Sequence, residues 1–262
     1  MFKQRVVTAA VGILIVIALI AWGYLPWRVT VWLATLLCAA EFTGMLGGRW
    51  YGPLAVFGYV LVSLVEWSPV WHSVYMLEGM LAVTLLFPVA TRNRVTLAQA
   101  ASAWAGALYI GYGGQSLAAF RGLTDGWLWL WLLLIGIWMT DTMAYVVGRR
   151  VGGPKLWPAI SPAKTLSGAA AGVIGSILGV VVFTLIVRPG ANIWASILLG
   201  AVISVTGQLG DLIESAYKRS AGVKDSGRLL PGHGGLLDRV DSLIFAAPFA
   251  LFLILQFPNW YQ

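Results

Sequence analysis

At 262 residues the chain is 59% hydrophobic and only 10% charged, with a mean hydropathy of +0.83. Soluble domains carry about 25% charged residues, so a soluble globular protein is excluded. The formal net charge of +7 and pI of about 9.8 do not point to nucleic acid. No basic stripe interleaves with aromatics, and basic cytoplasmic loops of a membrane protein produce the same balance.

The chain opens with Lys3 and Arg5, followed by an apolar run from Val6 to Leu25. That run exceeds the roughly 7–15 residues of a signal-peptide core and reads as a retained first span. Further spans are predicted at Trp27–Leu46, Pro53–Trp67, Val70–Ala90, Gln99–Ala118, Trp127–Val147, Leu166–Val187, Ile193–Leu212 and Leu243–Phe257. Apolar runs of about 20 residues must satisfy their own backbone hydrogen bonds in lipid. The prediction is therefore an all-α polytopic integral membrane protein of about nine transmembrane helices. It is read as a single membrane-embedded domain over 1–262, with N-terminal helices over 1–120 and those carrying the active site over 127–257. The single cysteine, Cys38, lies in the second run; it has no disulfide partner and reads as a small packing residue.

Loop charges orient these spans. Fourteen Lys and Arg residues, from Lys3 to Arg239, fall on one side, and only Arg28, Arg121 and Arg188 on the other. The positive-inside rule then places the N-terminus and the charged stretch around 207–242 in the cytoplasm and the C-terminus outside. Trp22, Tyr24, Trp27, Trp127, Trp129, Trp131, Trp260 and Tyr261 gather near span ends, as interfacial anchors do.

Charge is concentrated in one stretch, Gly207–Ser242. Its 36 residues hold five of the chain's ten acids, five of its 17 Lys and Arg, and one of its two His. Gln208, Asp211, Glu214, Ser215 and Lys218 fall at i, i+3, i+6, i+7 and i+10, one face of a helix. Such a stripe continues an apolar helix into a wet cavity, or forms a solvated helix end with Glu214 and Lys218 as an i, i+4 pair. Asp238 and Asp241 stand at the start of the last helix, where carboxylates either cap it or join Asp211 as oxygen ligands of a hard divalent cation. Lys218, Arg219, Lys224, Arg228 and Arg239 supply cationic donors nearby. Acids that hold metal beside bases that hold phosphate suit a triphosphate–metal substrate. Walker A spacing and HExxH are both absent, and His72 and His233 alone make a His-rich zinc site a poor fit.

A second polar patch runs from Thr140 to Gly168. Asp141 sits in the cytoplasmic end of the sixth span, with Lys155, Ser161, Lys164 and Thr165 in the loop that follows. Positive-inside anchoring is the simpler reading of its bases. Glu41 and Glu78 also lie inside spans, and the sequence names no partner for either.

The central stretch resembles the phosphatidate cytidylyltransferases, or CDP-diacylglycerol synthases. Their signature, S-x-x-K-R-x4-K-D-x-G-x2-L-P-x-H-G-G-x-x-D-R-x-D, is matched without departure from Ser215 to Asp241, 27 positions. GDLIES before it and DTMAYVVGR upstream also look like the family. One segment departs: where the family commonly shows SPKKTxEG, this chain has Ser161-Pro162-Ala163-Lys164-Thr165-Leu166-Ser167-Gly168.

The resemblance implies an enzyme that joins CTP and phosphatidic acid to give CDP-diacylglycerol and pyrophosphate. It further implies Mg²⁺ dependence, a homodimer, and a multi-pass place in a bacterial-type cell (inner) membrane with the active site facing the cytoplasm. Carried onto this chain, Asp211, Ser215, Lys218, Arg219, Asp238 and Asp241 are candidate catalytic residues. Lys224, Arg228, His233, Arg239, Asp141, Ser161, Lys164 and Thr165 are candidate substrate-binding residues, and Asp211, Asp238 and Glu214 candidate metal ligands. The competing class is a transporter or channel, against which stand the lack of an inverted repeat and the collection of charge at one surface.

Overall fold

The structure is a computed structural model and describes residues 12, 14, 16–68, 74–229 and 234–257. A helical stretch over 16–22 ends at Gly23, whose φ of 123° breaks it from the next helix. Eight helices follow: α1 (Tyr24–Met45), α2 (Pro53–Trp67), α3 (Val74–Ala90), α4 (Leu97–Gly122), α5 (Gly126–Val151), α6 (Leu166–Val187), α7 (Ile193–Ser220) and α8 (Leu237–Gln256). Three of them, α5, α6 and α7, are long and apolar enough to cross a membrane, and α2 and α3 are shorter apolar helices. The chain is an all-α membrane protein.

Helix positions follow the predicted spans closely; α2 and α6 coincide with them end to end. Pro53 opens α2 at a first-turn position, where its missing N–H costs nothing. The last two helices extend past their apolar cores: α7 runs on to Ser220 and α8 begins at Leu237. In both cases the additional turns carry the polar residues singled out above.

One difference concerns the stretch after α5, expected as a loop. It forms a short antiparallel hairpin, β1 (Lys155–Trp157) and β2 (Ser161–Thr165), pairing Lys155 with Thr165 and Trp157 with Ser161. Pro154, Pro158 and Pro162 exclude helix and bias each preceding residue to extended backbone. Gly152 and Gly153, with φ of 65° and 100°, make the left-handed turn from α5 into β1 that other residues resist.

The chain divides into two compact units, Met1–Ala119 with Ser220–Val240, and Phe120–Arg219 with Asp241–Gln262. In the first, α4 approaches α1 and α2 through glycines. A Cβ at Gly106 would meet the Phe42 ring at 2.3 Å, and one at Gly111 would meet Val65 Cβ at 2.8 Å. Trp27 Nε1 donates to the Leu117 carbonyl at 2.8 Å, and Gln99 Nε2 to that of Leu46 at 3.0 Å. Cys38 is buried in this core, in keeping with a packing role.

In the second unit, α6 packs on α5 through small residues. Gly168, Gly172, Gly175 and Gly179 face Ala144, Thr140, Met143 and Met139. The opposite face carries exposed Ile174, Leu178, Val182 and Ile186, four residues apart. Small residues inside and large apolar ones outside are the arrangement lipid favours. Hydrocarbon does not drive helices together, so close backbone approach must.

Candidate active site

The second unit holds a cavity of about 750 Å³, walled by the last turns of α5, the hairpin, the start of α6 and the later turns of α7. Gly148 and Gly168 let α5 and α6 converge beneath it: a Cβ on Gly168 would lie 2.7 Å from the Ala144 carbonyl oxygen. Thr165 caps α6 by accepting from Gly168 N at 3.1 Å, so β2 hands directly into the helix. Asp141 from α5, Lys164 from β2 and Asp211 from α7 all face this cavity.

Lys164 Nζ and Asp211 Oδ2 form an ion pair at 2.6 Å, with both side chains partly exposed. Ser215, one turn further along α7, donates from Oγ to Asp211 Oδ1 at 3.3 Å. Gln208, one turn earlier, donates to the Ala169 carbonyl at 3.2 Å and to Ser204 Oγ at 3.1 Å. Of the polar stripe read from the α7 spacing, Gln208 and Asp211 line the cavity, and Ser215 joins them through its bond to Asp211. Tyr145 and Arg149 complete the α5 side, with Arg149 Nη1 donating to Tyr145 Oη at 2.8 Å.

Further along α7, Glu214 is fully buried and ion-paired with Lys218. This is the i, i+4 pair, set in the interior instead of at a solvated end. Arg219 Nε donates to the Ile160 carbonyl at 3.3 Å, tying the end of α7 to the hairpin turn. Asp241 on α8 is buried and accepts from Ser242 N at 2.7 Å. Its carboxylate lies in the field of Asp211, Lys218 and Asp141. Gly210 makes this possible, since a Cβ there would come within 2.7 Å of the Asp241 carbonyl oxygen.

In the first unit, the loop before α8 is built around two carboxylates. Asp238 Oδ2 accepts from Ser226 N (2.9 Å), Ser226 Oγ (2.9 Å) and Gly235 N (2.8 Å). Glu41 on α1 accepts from Leu236 N (2.9 Å), Leu237 N (2.8 Å) and Ser226 Oγ (3.2 Å). Lys224, Asp225, Arg228 and Arg239 are exposed on this loop and the turn after it.

Of the residues singled out from sequence, Asp141, Lys164, Thr165, Asp211, Ser215, Glu214, Lys218, Arg219, Ser161 and Asp241 belong to the second unit. Lys224, Arg228, Asp238 and Arg239 belong to the first. His233 lies outside the described residues. Thr165 is a helix cap, and Ser161 a hairpin pairing position. Among the described residues, no group of three or more His, Cys, Asp or Glu is placed to hold a metal ion. Glu41, for which the sequence names no partner, has a place in this loop. Its charge inside an apolar span was the available signal, but its partners are backbone amides 195 and 196 positions away.

Comparison with known proteins places these features in context. The model of a family described as the cytidylyltransferase family matches residues 3–257. The chain is 36% identical over 260 residues to the phosphatidate cytidylyltransferase of Staphylococcus epidermidis, covering 97% of this chain and 99% of that one. The proteins of the same name from Staphylococcus haemolyticus and Staphylococcus aureus are 35% and 32% identical over the same spans.

Proposed function

The chain belongs to the cytidylyltransferase family, and from that premise we infer that it transfers the cytidylyl group of CTP to phosphatidic acid. The products are CDP-diacylglycerol and pyrophosphate. The observation that carries this is near-full-length identity of 32–36% to phosphatidate cytidylyltransferases, with the charged cavity of the second unit as the place for chemistry.

A phosphate oxygen of phosphatidic acid attacks the α-phosphorus of CTP in line. The bond from that phosphorus to the bridging oxygen breaks, and pyrophosphate leaves. No covalent enzyme intermediate is needed, because positioning and charge stabilisation suffice for phosphoryl-type transfer. Lys164, which lines the cavity, binds triphosphate oxygens by exchanging its Asp211 contact for a substrate one. Lys218 and Arg219 from the end of α7, and Lys224, Arg228 and Arg239 from the signature, neutralise phosphate charge, while His233 orients substrate or the loop. Ser215 orients the Asp211 carboxylate.

Magnesium suits the donors present. Asp141 and Asp211 offer hard oxygen ligands on one cavity, and Mg²⁺ is usually bound by one or two carboxylates together with substrate phosphates. Once bound it would screen the triphosphate and the charge that develops on pyrophosphate. We assign Asp211 as ligand, with Asp141 beside it. Glu214 and Asp238, the other ligand candidates, already hold Lys218, and Ser226 with Gly235, and we give them the task of shaping the site. We further propose an enzyme of about nine spans that works as a homodimer in a bacterial cell membrane, its N-terminus and active site cytoplasmic and its C-terminus outside, as the loop charges suggest.

The test is incubation of purified protein with labelled CTP, Mg²⁺ and either phosphatidic acid or a polyprenol acceptor. Labelled CDP-diacylglycerol and an equal amount of pyrophosphate should form with phosphatidic acid alone. Product only with the polyprenol, or CTP-independent flux in liposomes with no product, would refute the assignment.

A further inference from the structure

Glu41 lies in the second apolar run, far in sequence from the signature, yet its carboxylate is spent entirely on the signature loop. Oε1 accepts from Leu236 N, and Oε2 from Leu237 N and Ser226 Oγ. The loop is shaped to admit it: a Cβ on Gly227 would lie 2.6 Å from Glu41 Oε1, and one on Gly235 2.5 Å from Oε2. Ser226 is buried between Glu41 and Asp238 and contacts both. Its hydroxyl has one proton and donates to one carboxylate at a time; the backbone amides hold the other bonds continuously.

These amides precede and open α8, where a helix has N–H groups without intrahelical acceptors and a positive dipole end. Asp238 serves Gly235 N from within the helix. Glu41 serves Leu236 N and Leu237 N from another helix altogether. Charge-assisted bonds of this kind are about twice as strong as neutral ones.

We propose that Glu41 is a positioning residue for CTP binding, holding the signature at Ser226 and at Leu236–Leu237, beside the cationic side chains Lys224, Arg228 and Arg239. The proposal rests on the function given above. The backbone is held at Ser226, Gly235, Leu236 and Leu237, and the nearby Lys224, Arg228 and Arg239 are exposed.

The experiment compares Glu41→Gln and Glu41→Ala with wild type and with Glu78→Gln, a change at an exposed carboxylate on α3. Hydrogen exchange of peptides covering 234–240 is followed alongside steady-state kinetics in detergent. Exchange at Leu236 and Leu237 should accelerate in both Glu41 variants. KM for CTP should rise by roughly tenfold in the Gln variant, which keeps the shape but loses a charge-assisted acceptor, while KM for phosphatidic acid stays put. A merely structural lesion would lower the active fraction, reducing kcat with KM for CTP unchanged. That result, or wild-type exchange and kinetics in Glu41→Gln, overturns the proposal. Should Glu41→Ala fail to fold, Glu41→Gln decides alone. Wild-type protein that makes no CDP-diacylglycerol would refute the function, while the exchange data would still report whether Glu41 anchors the loop.

Discussion

Asp211 is gripped from two directions, by the Lys164 ammonium and by the Ser215 hydroxyl, so its carboxylate is oriented before any substrate arrives. Both side chains of the ion pair are partly exposed, and such pairs contribute little to stability; the pair's value lies in aiming two opposite charges into one cavity. Lys164→Met should therefore leave thermal unfolding in detergent within about 1 kcal/mol of wild type, while raising KM for CTP at least roughly tenfold. Glu214 should behave in the opposite way. It is fully buried against Lys218, and removing one member of a buried pair strands the other charge. Glu214→Ala should lose about 3–5 kcal/mol of stability, measured as a large fall in Tm before any kinetic comparison is made.

At the level of elements, the α5–α6 seam sets the cavity floor. Gly168 and Gly172 allow the backbones to approach, and their replacement pushes the floor apart. Gly168→Val should destabilise by about 1–3 kcal/mol and abolish activity, whereas Leu178→Ala on the lipid-facing side of α6 should retain both. Comparing detergent Tm and turnover of the two variants separates the faces. The helices themselves were legible in the sequence because lipid requires long apolar runs with satisfied backbones, and α2 and α6 match their predicted ends. The hairpin was not: its five- and three-residue strands carry no periodicity, and its identity rests on three prolines and two left-handed glycines. The polar face of α7 was readable from spacing alone, since every member lies within about one turn of the next. Glu41 was unreadable for the converse reason. Its partners are two main-chain amides and the Ser226 hydroxyl nearly two hundred residues away, and backbone donors leave no mark in a sequence.

For the whole molecule, charge asymmetry across the loops gives a topology that can be checked without activity. In a Cys38→Ala background, Lys224→Cys should react with a membrane-impermeant maleimide only from the cytoplasmic face of oriented vesicles. Gly190→Cys, in the turn beside Arg188, should react only from the other. Labelling of both positions from the same side would contradict the topology predicted from the loop charges. The most direct test of the central claim is transfer from labelled CTP to phosphatidic acid by wild type, Asp211→Asn and Glu78→Gln under identical Mg²⁺. CDP-diacylglycerol formation should persist in Glu78→Gln and fall by roughly 10²–10³-fold in Asp211→Asn; near-normal turnover in a folded Asp211→Asn enzyme would contradict the site described.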